Sequence, residues 1–184
     1  PETSKELYET LGKKLLLIGE DAFVDLNGFS LEGGQAKALR NAMNKMKNAG
    51  YVFKVNPSPQ TDGFLQQLAF VSNEWLKDME RSELCFSQGV FSSLELKQQT
   101  ILTAENAEGK IVAFLNVIPS IGGELNFDLM RKTADAPSGT MDFIFASMMQ
   151  HFKDEGYSAV NLGMVPLSGI DEPDNLPERA MKLA

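Results

Sequence analysis

Residues 124–164 read ELNFDLMRKTADAPSGTMDFIFASMMQHFKDEGYSAVNLGM and predict a strand, a helix and a second strand in succession. The apolar side chains of residues 124–131 and 157–164 are typical of strands. Between them, residues 140–155 repeat apolar side chains at helical spacing, and Gly156 follows at the position of a C-terminal cap. Two strands joined in this way through a helix can lie in the same sheet.

The residues before this unit predict a β-hairpin and, earlier, a helix-rich half. Residues 101–105 and 111–118 are two apolar runs joined by the turn sequence NAEG. The other predicted elements begin with a short helix before residue 15. They continue with strands at 15–18 and 22–26 with a turn at 19–21, a helix at 31–50, a strand at 51–56, a helix at 61–79, a helical turn at 92–98 and a helix starting near residue 177. This order predicts an α+β chain with a mixed sheet flanked by helices.

The composition is that of an ordinary globular domain. The chain has 184 residues, of which 43% are hydrophobic and 23% charged, and one domain is the default expectation. Its formal net charge of −8 argues against a general nucleic-acid binder, because phosphate binding would need a local basic patch. The single cysteine, Cys85, excludes an intramolecular disulfide and fits a reducing compartment. The chain begins at Pro1, so we expect a piece excised from a longer protein.

Two charged residues stand at the end of the strand predicted at 124–131. Asp128 and Arg131 are three residues apart, so on a regular strand they point to opposite faces and converge only if the chain bends, as at a bulge. An aspartate there can orient a hydroxyl or an amino group, and an arginine can bind phosphate through two hydrogen bonds. The alternative interpretation is a salt bridge at the sheet edge.

The loop after this strand enters the predicted helix at 140–155. It contains Ser138 and Gly139, and Asp142 follows in the first turn. Unpaired N–H groups at a helix start favour anionic ligands, which makes the loop a candidate binding site. A plain capped helix is the competing interpretation.

A second candidate is the predicted basic helix at 34–50. It carries Lys37, Arg40, Lys45 and Lys47 and no acidic residue. Such a stripe suits an RNA backbone or an anionic membrane surface, and a solvated helix face is the alternative.

Two further polar residues give weaker signals. Asn161 ends a strand and could hydrogen-bond a substrate amide, although a strand-to-loop exit also explains it. His151 is the only histidine and, with Cys85 far away in the sequence, predicts no metal site and no recognisable nucleophilic pair. Trp75 and the Phe and Met stripe of the helix at 140–155 are assigned to the core.

Five blocks of the sequence carry a family resemblance. They are GEDAFVDLNGFSLEGGQAKALRNAMNKMKNAGYVFKV at 19–55, SNEWL at 72–76, EGKIVAFLNVIP at 108–119, FDLMRKTADAPSGTMDFIF at 127–145 and NLGMVPLSG at 161–169. In this order they resemble the C-terminal domain of the phosphatidylglycerol lysyltransferases, also called multiple peptide resistance factors.

The resemblance implies a fold and a place in a larger protein. The expected fold is GNAT-like, as in acyltransferases, with residues 1–184 forming a single domain that is the second of a tandem pair. Family members continue past the position of Ala184, so the chain is expected to be truncated at its C-terminus and inactive alone. The parent is expected to have a transmembrane part and to work at the cytoplasmic face of the bacterial membrane.

The resemblance also implies an activity. The expected reaction transfers an amino acid, lysine first with alanine and arginine left open, from aminoacyl-tRNA to the glycerol hydroxyl of phosphatidylglycerol. The product makes the membrane less attractive to cationic antimicrobial peptides. The charged tRNA acts as co-substrate, and no other cofactor and no metal is expected.

The residues are assigned by the same resemblance. Asp128 and Arg131 are expected at the catalytic centre. Residues expected to bind substrate are Ser138, Gly139, Asp142 and Asn161, and those expected to contact tRNA are Lys37, Arg40, Lys45 and Lys47. Two alternatives stay open, an acyltransferase that uses acyl-CoA and a non-catalytic module that binds tRNA or a membrane surface.

Overall fold

The computed structural model describes residues 4–13, 16–78, 89–119, 123–166 and 168. Its elements are α1 (Lys5–Thr10), β1 (Gly19–Asp25), α2 (Lys37–Asn48), β2 (Val52–Asn56), α3 (Asp62–Asp78), α4 (Ser93–Leu96), β3 (Thr100–Glu105), β4 (Ile111–Pro119), β5 (Glu124–Asn126), β6 (Met130–Lys132), α5 (Thr140–Asp154) and β7 (Ala159–Pro166). The chain divides into two compact units, Pro1–Phe23 with Leu162–Ala184 and Val24–Asn161. Within the described ranges no helix is long and apolar enough to cross a bilayer.

The described strands form a mixed sheet, as predicted. The strand order is β1-β7-β5-β4-β3-β2, and β6 pairs with β4 beside β5. The pairs β2–β3, β3–β4, β4–β5 and β4–β6 are antiparallel, whereas β5–β7 is parallel. The parallel pair is the one joined through α5, which agrees with the strand, helix and strand expected from residues 124–164.

Local sequence signals explain several element boundaries. Gly50 has φ +83°, and its neighbour Tyr51 donates its N–H to the carbonyl of Met46, which ends α2. Between β3 and β4, the Asn106 side chain accepts hydrogen bonds from the N–H groups of Glu108 and Lys110. These contacts fix the helix end and the hairpin turn that the sequence predicts.

Helices cover both faces of the sheet in the unit Val24–Asn161. There is one hydrophobic core on each face, and neighbouring residues of β3 contribute to different cores. Leu102 packs with α2 and α5, whereas Ile101 packs with α3 and α4. Leu115 and Phe114 on β4 divide in the same way. The central strands are therefore buried from both sides.

Two predicted strands differ from the structure. The turn predicted at 19–21 lies inside β1, and residues 16–18 are outside any strand, while Leu15 lies outside the described residues. A Cβ added at Gly19 would overlap the carbonyl oxygen of Val165, so this glycine permits a close approach of two backbones rather than a turn. The strand predicted at 124–131 is split into β5 and β6. The helix predicted near residue 177 lies outside the described residues.

Candidate functional site

A β-bulge separates β5 from β6. Leu115 of β4 pairs with Met130 and Ile118 with Asn126, so three steps along β4 face four steps along the other segment. Leu125 and Leu129 consequently enter the two different cores, although residues four apart on a regular strand share a face. The bend that the Asp128–Arg131 spacing required is therefore present.

Asn116 stabilises the bulge from the opposite strand. Its side chain is buried, and its Oδ1 accepts the N–H groups of Asp128 at 3.0 Å and Leu129 at 2.6 Å. Its Nδ2 donates to Oε1 of Gln99 at 3.0 Å. The backbone amides that lose their ladder partners at the bulge thus find an acceptor.

The Asp128 side chain is exposed and anchored to one backbone group. Its Oδ1 accepts the N–H of Gly89 at 2.7 Å. No protein donor within the described residues reaches its Oδ2. One carboxylate oxygen, Oδ1, is therefore held by a backbone donor, while the residue as a whole is exposed.

Arg131 is buried on the same side, with 3% of its surface exposed. Its guanidinium donates to Oγ of Ser72 and, at 3.3 Å, to the carbonyl of Gly89. It also lies over the ring of Trp75, with 5.2 Å between its Cζ and the ring centroid. Asp128 and Arg131 therefore bind the same residue, since Asp128 accepts the N–H of Gly89 and Arg131 donates to its carbonyl.

The loop at the start of α5 meets the basic helix. Gly139 is the N-cap of α5 with φ +93°, and Nζ of Lys45 donates to the carbonyl of Ser138 at 3.3 Å. A Cβ added at Gly139 would lie 3.4 Å from the Cβ of Ala42, so the two elements pack closely. Asp142 is exposed in the first turn of α5. The structure thus brings a predicted tRNA-binding lysine to the predicted substrate-binding loop.

The four cations of α2 fall into two groups. Lys37, Lys45 and Lys47 are exposed, while Met43 and Met46 turn the opposite face into the core. Arg40 is half-buried and donates to the carbonyls of Leu31 and Gly33, the latter at 2.7 Å. Three lysines are therefore available to a ligand, and Arg40 ties the preceding loop to the helix.

Asn161 stands near the same strand ends as the bulge. It is half-buried and follows Val160, the last residue of β7 that pairs with β5. Among the described residues no three His, Cys, Asp or Glu side chains are grouped as metal ligands. Cys85 lies outside the described residues.

His151 lies in a cleft that the sequence did not predict. It is half-buried, and its ring centroid lies 6.4 Å from that of Phe53 and 5.0 Å from that of Phe152. The cleft has a volume of about 530 Å³ and lies along β2 between α2 and α5. Its lining residues are Met43, Lys47, Tyr51, Val52, Phe53, Val55, Phe143, Ser147, Gln150, His151 and Asp154.

Four residues of the Asp128 region escaped sequence reasoning. Ser72 and Trp75 lie in the SNEWL block, but the apolar stripe of α3 led to a core assignment for Trp75. Asn116 stands in an apolar strand, where a buried polar residue is itself a signal of a functional or structural role. Gly89 lies in a stretch that predicts no regular structure, and nothing in the sequence marked it.

Comparison with protein families gives a match over almost the whole chain. The family model described as "Phosphatidylglycerol lysyltransferase, C-terminal" matches residues 1–183. The chain belongs to this family. The resemblance drawn from the five sequence blocks is therefore confirmed.

Individual family members align over most of this chain and a small part of their own length. The phosphatidylglycerol lysyltransferase of Bacillus subtilis (strain 168) is 41% identical over 165 residues, which cover 89% of this chain and 19% of that protein. That of Staphylococcus haemolyticus is 34% identical over 167 residues, covering 90% of this chain and 20% of that protein. The chain thus spans about a fifth of the curated relatives it matches.

Solved structures confirm the fold. The structure of L-PGS from Bacillus licheniformis superposes with a TM-score of 0.87 and 37% identity, covering 95% of this chain and 53% of that chain. FemX superposes with a TM-score of 0.63 at 8% identity, and a GCN5-related glucosamine N-acetyltransferase region of a fungal protein with 0.51 at 12%. The last two similarities concern the fold alone, and they confirm the predicted GNAT-like α+β fold.

Proposed function

We propose that the protein containing this chain is an enzyme that transfers an amino acid from aminoacyl-tRNA to the glycerol hydroxyl of phosphatidylglycerol. Family membership supports the reaction type, and the names of the relatives favour lysine as the amino acid. The observation that carries the proposal is the exposed Asp128 carboxylate, held beside a bulge by the N–H of Gly89. We also propose that the protein containing this chain works at the cytoplasmic face of the membrane.

The chemistry needs few groups because the donor is already activated. The lipid hydroxyl attacks the aminoacyl ester of tRNA, so a new ester bond to the lipid oxygen forms while the bond to the tRNA ribose oxygen breaks. The ribose oxygen leaves as a hydroxyl after taking up a proton, and no ATP is required. The enzyme has to align ester and hydroxyl, accept the hydroxyl proton and stabilise the tetrahedral oxyanion. We assign proton acceptance to Asp128. The phosphate contact predicted for Arg131 stays a prediction, since its guanidinium already has protein partners.

Two surfaces are proposed for the substrates. The exposed Lys37, Lys45 and Lys47 give α2 a cationic face suited to the tRNA backbone. Lys45 joins this face to the loop of Ser138 and Gly139, which we propose to lie near the aminoacyl end. Addition of a cationic amino acid lowers the negative charge of the lipid, from which resistance to cationic antimicrobial peptides would follow.

The test is a transfer assay with the full-length protein in membranes, labelled aminoacyl-tRNAs and phosphatidylglycerol. Asp128→Asn is expected to lower turnover by roughly 10²–10⁴, because a general base contributes about that factor. Asp62→Asn is a matched control, since Asp62 is an exposed carboxylate at the start of α3 and is paired with Lys97.

The outcomes separate the proposed enzyme from its alternatives. Wild-type turnover in Asp128→Asn would remove Asp128 from the mechanism. If lysine substitutions on α2 alone changed tRNA binding and no transfer occurred in any variant, a binding module would be the better description. Saturable binding of coenzyme A, without transfer from tRNA, would favour the acyl-CoA alternative.

A further inference from the structure

We propose that Gly89 is a positioning residue that sets the orientation of the Asp128 carboxylate. The inference rests on the proposed function, because it deepens the role of Asp128 in amino-acid transfer. It concerns a residue that no sequence motif singled out, in the backbone opposite the bulge.

The Asp128 carboxylate occupies the space that a side chain at position 89 would need. A Cβ added to this residue would lie 2.6 Å from Oδ1 of Asp128 and closer still to Cγ and Oδ2. All three carboxylate heavy atoms would overlap it, so the neighbour that must give way is the proposed catalytic group itself. A glycine is therefore required for close contact, independently of its backbone conformation.

Both polar groups of the Gly89 backbone are engaged in this arrangement. The N–H donates to Oδ1 of Asp128 at 2.7 Å, and the carbonyl accepts from Nη2 of Arg131 at 3.3 Å. A backbone N–H offers a fixed donor, since its direction follows from the chain rather than from a rotatable side chain. Gly89 thus links the buried cation to the exposed carboxylate.

Arg131 can hold Gly89 because its own position is fixed. It is 3% exposed, donates to Ser72 of α3 and stacks against Trp75 one helical turn further along. Two side chains of α3 therefore restrain the guanidinium that donates to Gly89. Arg131 acts on Asp128 through this contact, which makes it a positioning residue as well.

The backbone of Asp128 is fixed separately from its side chain. Asn116 accepts the Asp128 N–H at 3.0 Å from the β4 side, while Gly89 holds the carboxylate at 2.7 Å. Asp128 is therefore held both at its backbone and at its carboxylate, although it is exposed. A general base held in this way needs little reorientation before it accepts a proton.

The experiment compares four variants of the full-length protein in the membrane transfer assay. They are Gly89→Ala, Asp128→Ala, the double variant and the control Gly63→Ala, whose added Cβ on α3 would meet no atom within 4 Å. Gly89→Ala is expected to lower kcat by about 10- to 100-fold, as displaced catalytic groups do, with KM for both substrates changed less than about two-fold. Gly63→Ala is expected to keep wild-type kcat.

The double variant separates positioning from a general structural role. Asp128→Ala removes the atoms that overlap the added methyl group, so in that background Gly89→Ala is expected to change the residual turnover by less than about two-fold. Wild-type kcat in Gly89→Ala would overturn the inference. An equal reduction from Gly89→Ala in both backgrounds would also overturn it.

Folding and the proposed function are checked within the same set. If Gly89→Ala fails to fold, the double variant is expected to recover the wild-type melting temperature to within a few degrees, roughly the effect of a neutral substitution. A double variant that also fails to fold contradicts the inference. Wild-type turnover in Asp128→Ala would instead refute the proposed role of Asp128, a result distinct from a failure of Gly89.

Discussion

Asp128 and Asp135 are held by different kinds of hydrogen-bond donor. Asp128 takes a backbone N–H at the bulge, whereas Asp135, in the loop after β6, is held by side chains. A hydrogen bond from the Thr133 hydroxyl, followed by the charge of Lys110 at 3.5 Å, lowers the pKa of Asp135 below its ordinary value. Asp135 and Lys110 are both well exposed, with 70% and 48% of their side chains accessible. The ionised form of Asp135 is therefore favoured in the folded chain, by a small amount.

This lowered pKa predicts a pH-dependent contribution to stability. The contribution is present above the ordinary pKa of aspartate, about 3.9, and is lost as pH falls through the lower pKa of the folded state. Asp135→Asn is thus expected to be slightly less stable than the wild type at pH 7, and the difference is expected to disappear once the pH lies below the lowered pKa of the folded state. Denaturant unfolding of both proteins from pH 7 to pH 2 measures the difference. A gap that stays constant across this range would show that Asp135 contributes by packing instead.

The sequence could nominate residues of the site but not their partners. Asp128 and Arg131 share one short motif, and their spacing required a bend that the structure supplies. Gly89 and Ser72 lie 39 residues before Asp128 and 59 before Arg131, so local patterns carry no trace of these contacts. The packing of α3 on the sheet brings Ser72 to Arg131, and the segment just before α4 brings Gly89 to Asp128.

At the level of elements, regular periodicity was predictable and its interruption was not. α5 and the β3–β4 hairpin follow from apolar spacing, Gly156 and the NAEG turn. The bulge between β5 and β6 leaves the alternation of Leu125, Phe127 and Leu129 intact, so the sequence read as one strand. Its signal lies on the partner strand, where Asn116 is buried among apolar residues.

The bulge predicts a high cost for the removal of Asn116. Asn116→Ala removes the acceptor shared by the N–H groups of Asp128 and Leu129, and each buried N–H left unpaired costs about 1–3 kcal/mol. The free energy of unfolding is expected to fall by at least about that amount, measured by denaturant titration. Asn73→Ala, at an exposed position of α3, is the matched control and should stay within about 0.5 kcal/mol of the wild type. Equal stability of Asn116→Ala and the control would mean that the bulge amides find other acceptors.

For the whole molecule, charge is distributed unevenly. The formal net charge is −8, yet Lys37, Lys45 and Lys47 stand exposed on one helix. Several lysines elsewhere in the described residues have acidic partners: Lys77 pairs with Glu74, and Lys97 and Lys110 pair with Asp62 and Asp135. A polyanion approaching this acidic molecule would thus be guided to α2.

This distribution predicts that the proposed tRNA binding depends on the positions of the lysines, and not on total charge. Replacing Lys37, Lys45 and Lys47 by Gln in the full-length protein is expected to weaken tRNA binding across tRNA sequences. It should also reduce the slope of log K against log salt by about one for each phosphate that the variant no longer neutralises. The matched control replaces Lys77, Lys97 and Lys110 by Gln, which changes the net charge equally. Filter binding over a salt series distinguishes the two, and equal weakening in both triple variants would argue for a diffuse electrostatic effect.

The fold class could be predicted because it depends on the order of elements. Helices first, then a hairpin and a strand, helix and strand unit, lead to a mixed sheet in the structure as they did in the prediction. The division into two units was not predictable, since it joins Pro1–Phe23 with Leu162–Ala184 from opposite ends of the chain.

The bulge also makes the site depend on the number of residues between the β4–β5 pairing and the β4–β6 pairing. The ladders end at Asn126 and resume at Met130, and amino-acid exchanges leave that count unchanged. Deletion of a single codon in this interval would restore an uninterrupted ladder and turn the side chains on one flank to the opposite face of the sheet. Mutational surveys limited to exchanges would thus overlook this dependence on length, and libraries with single-codon deletions would reveal it.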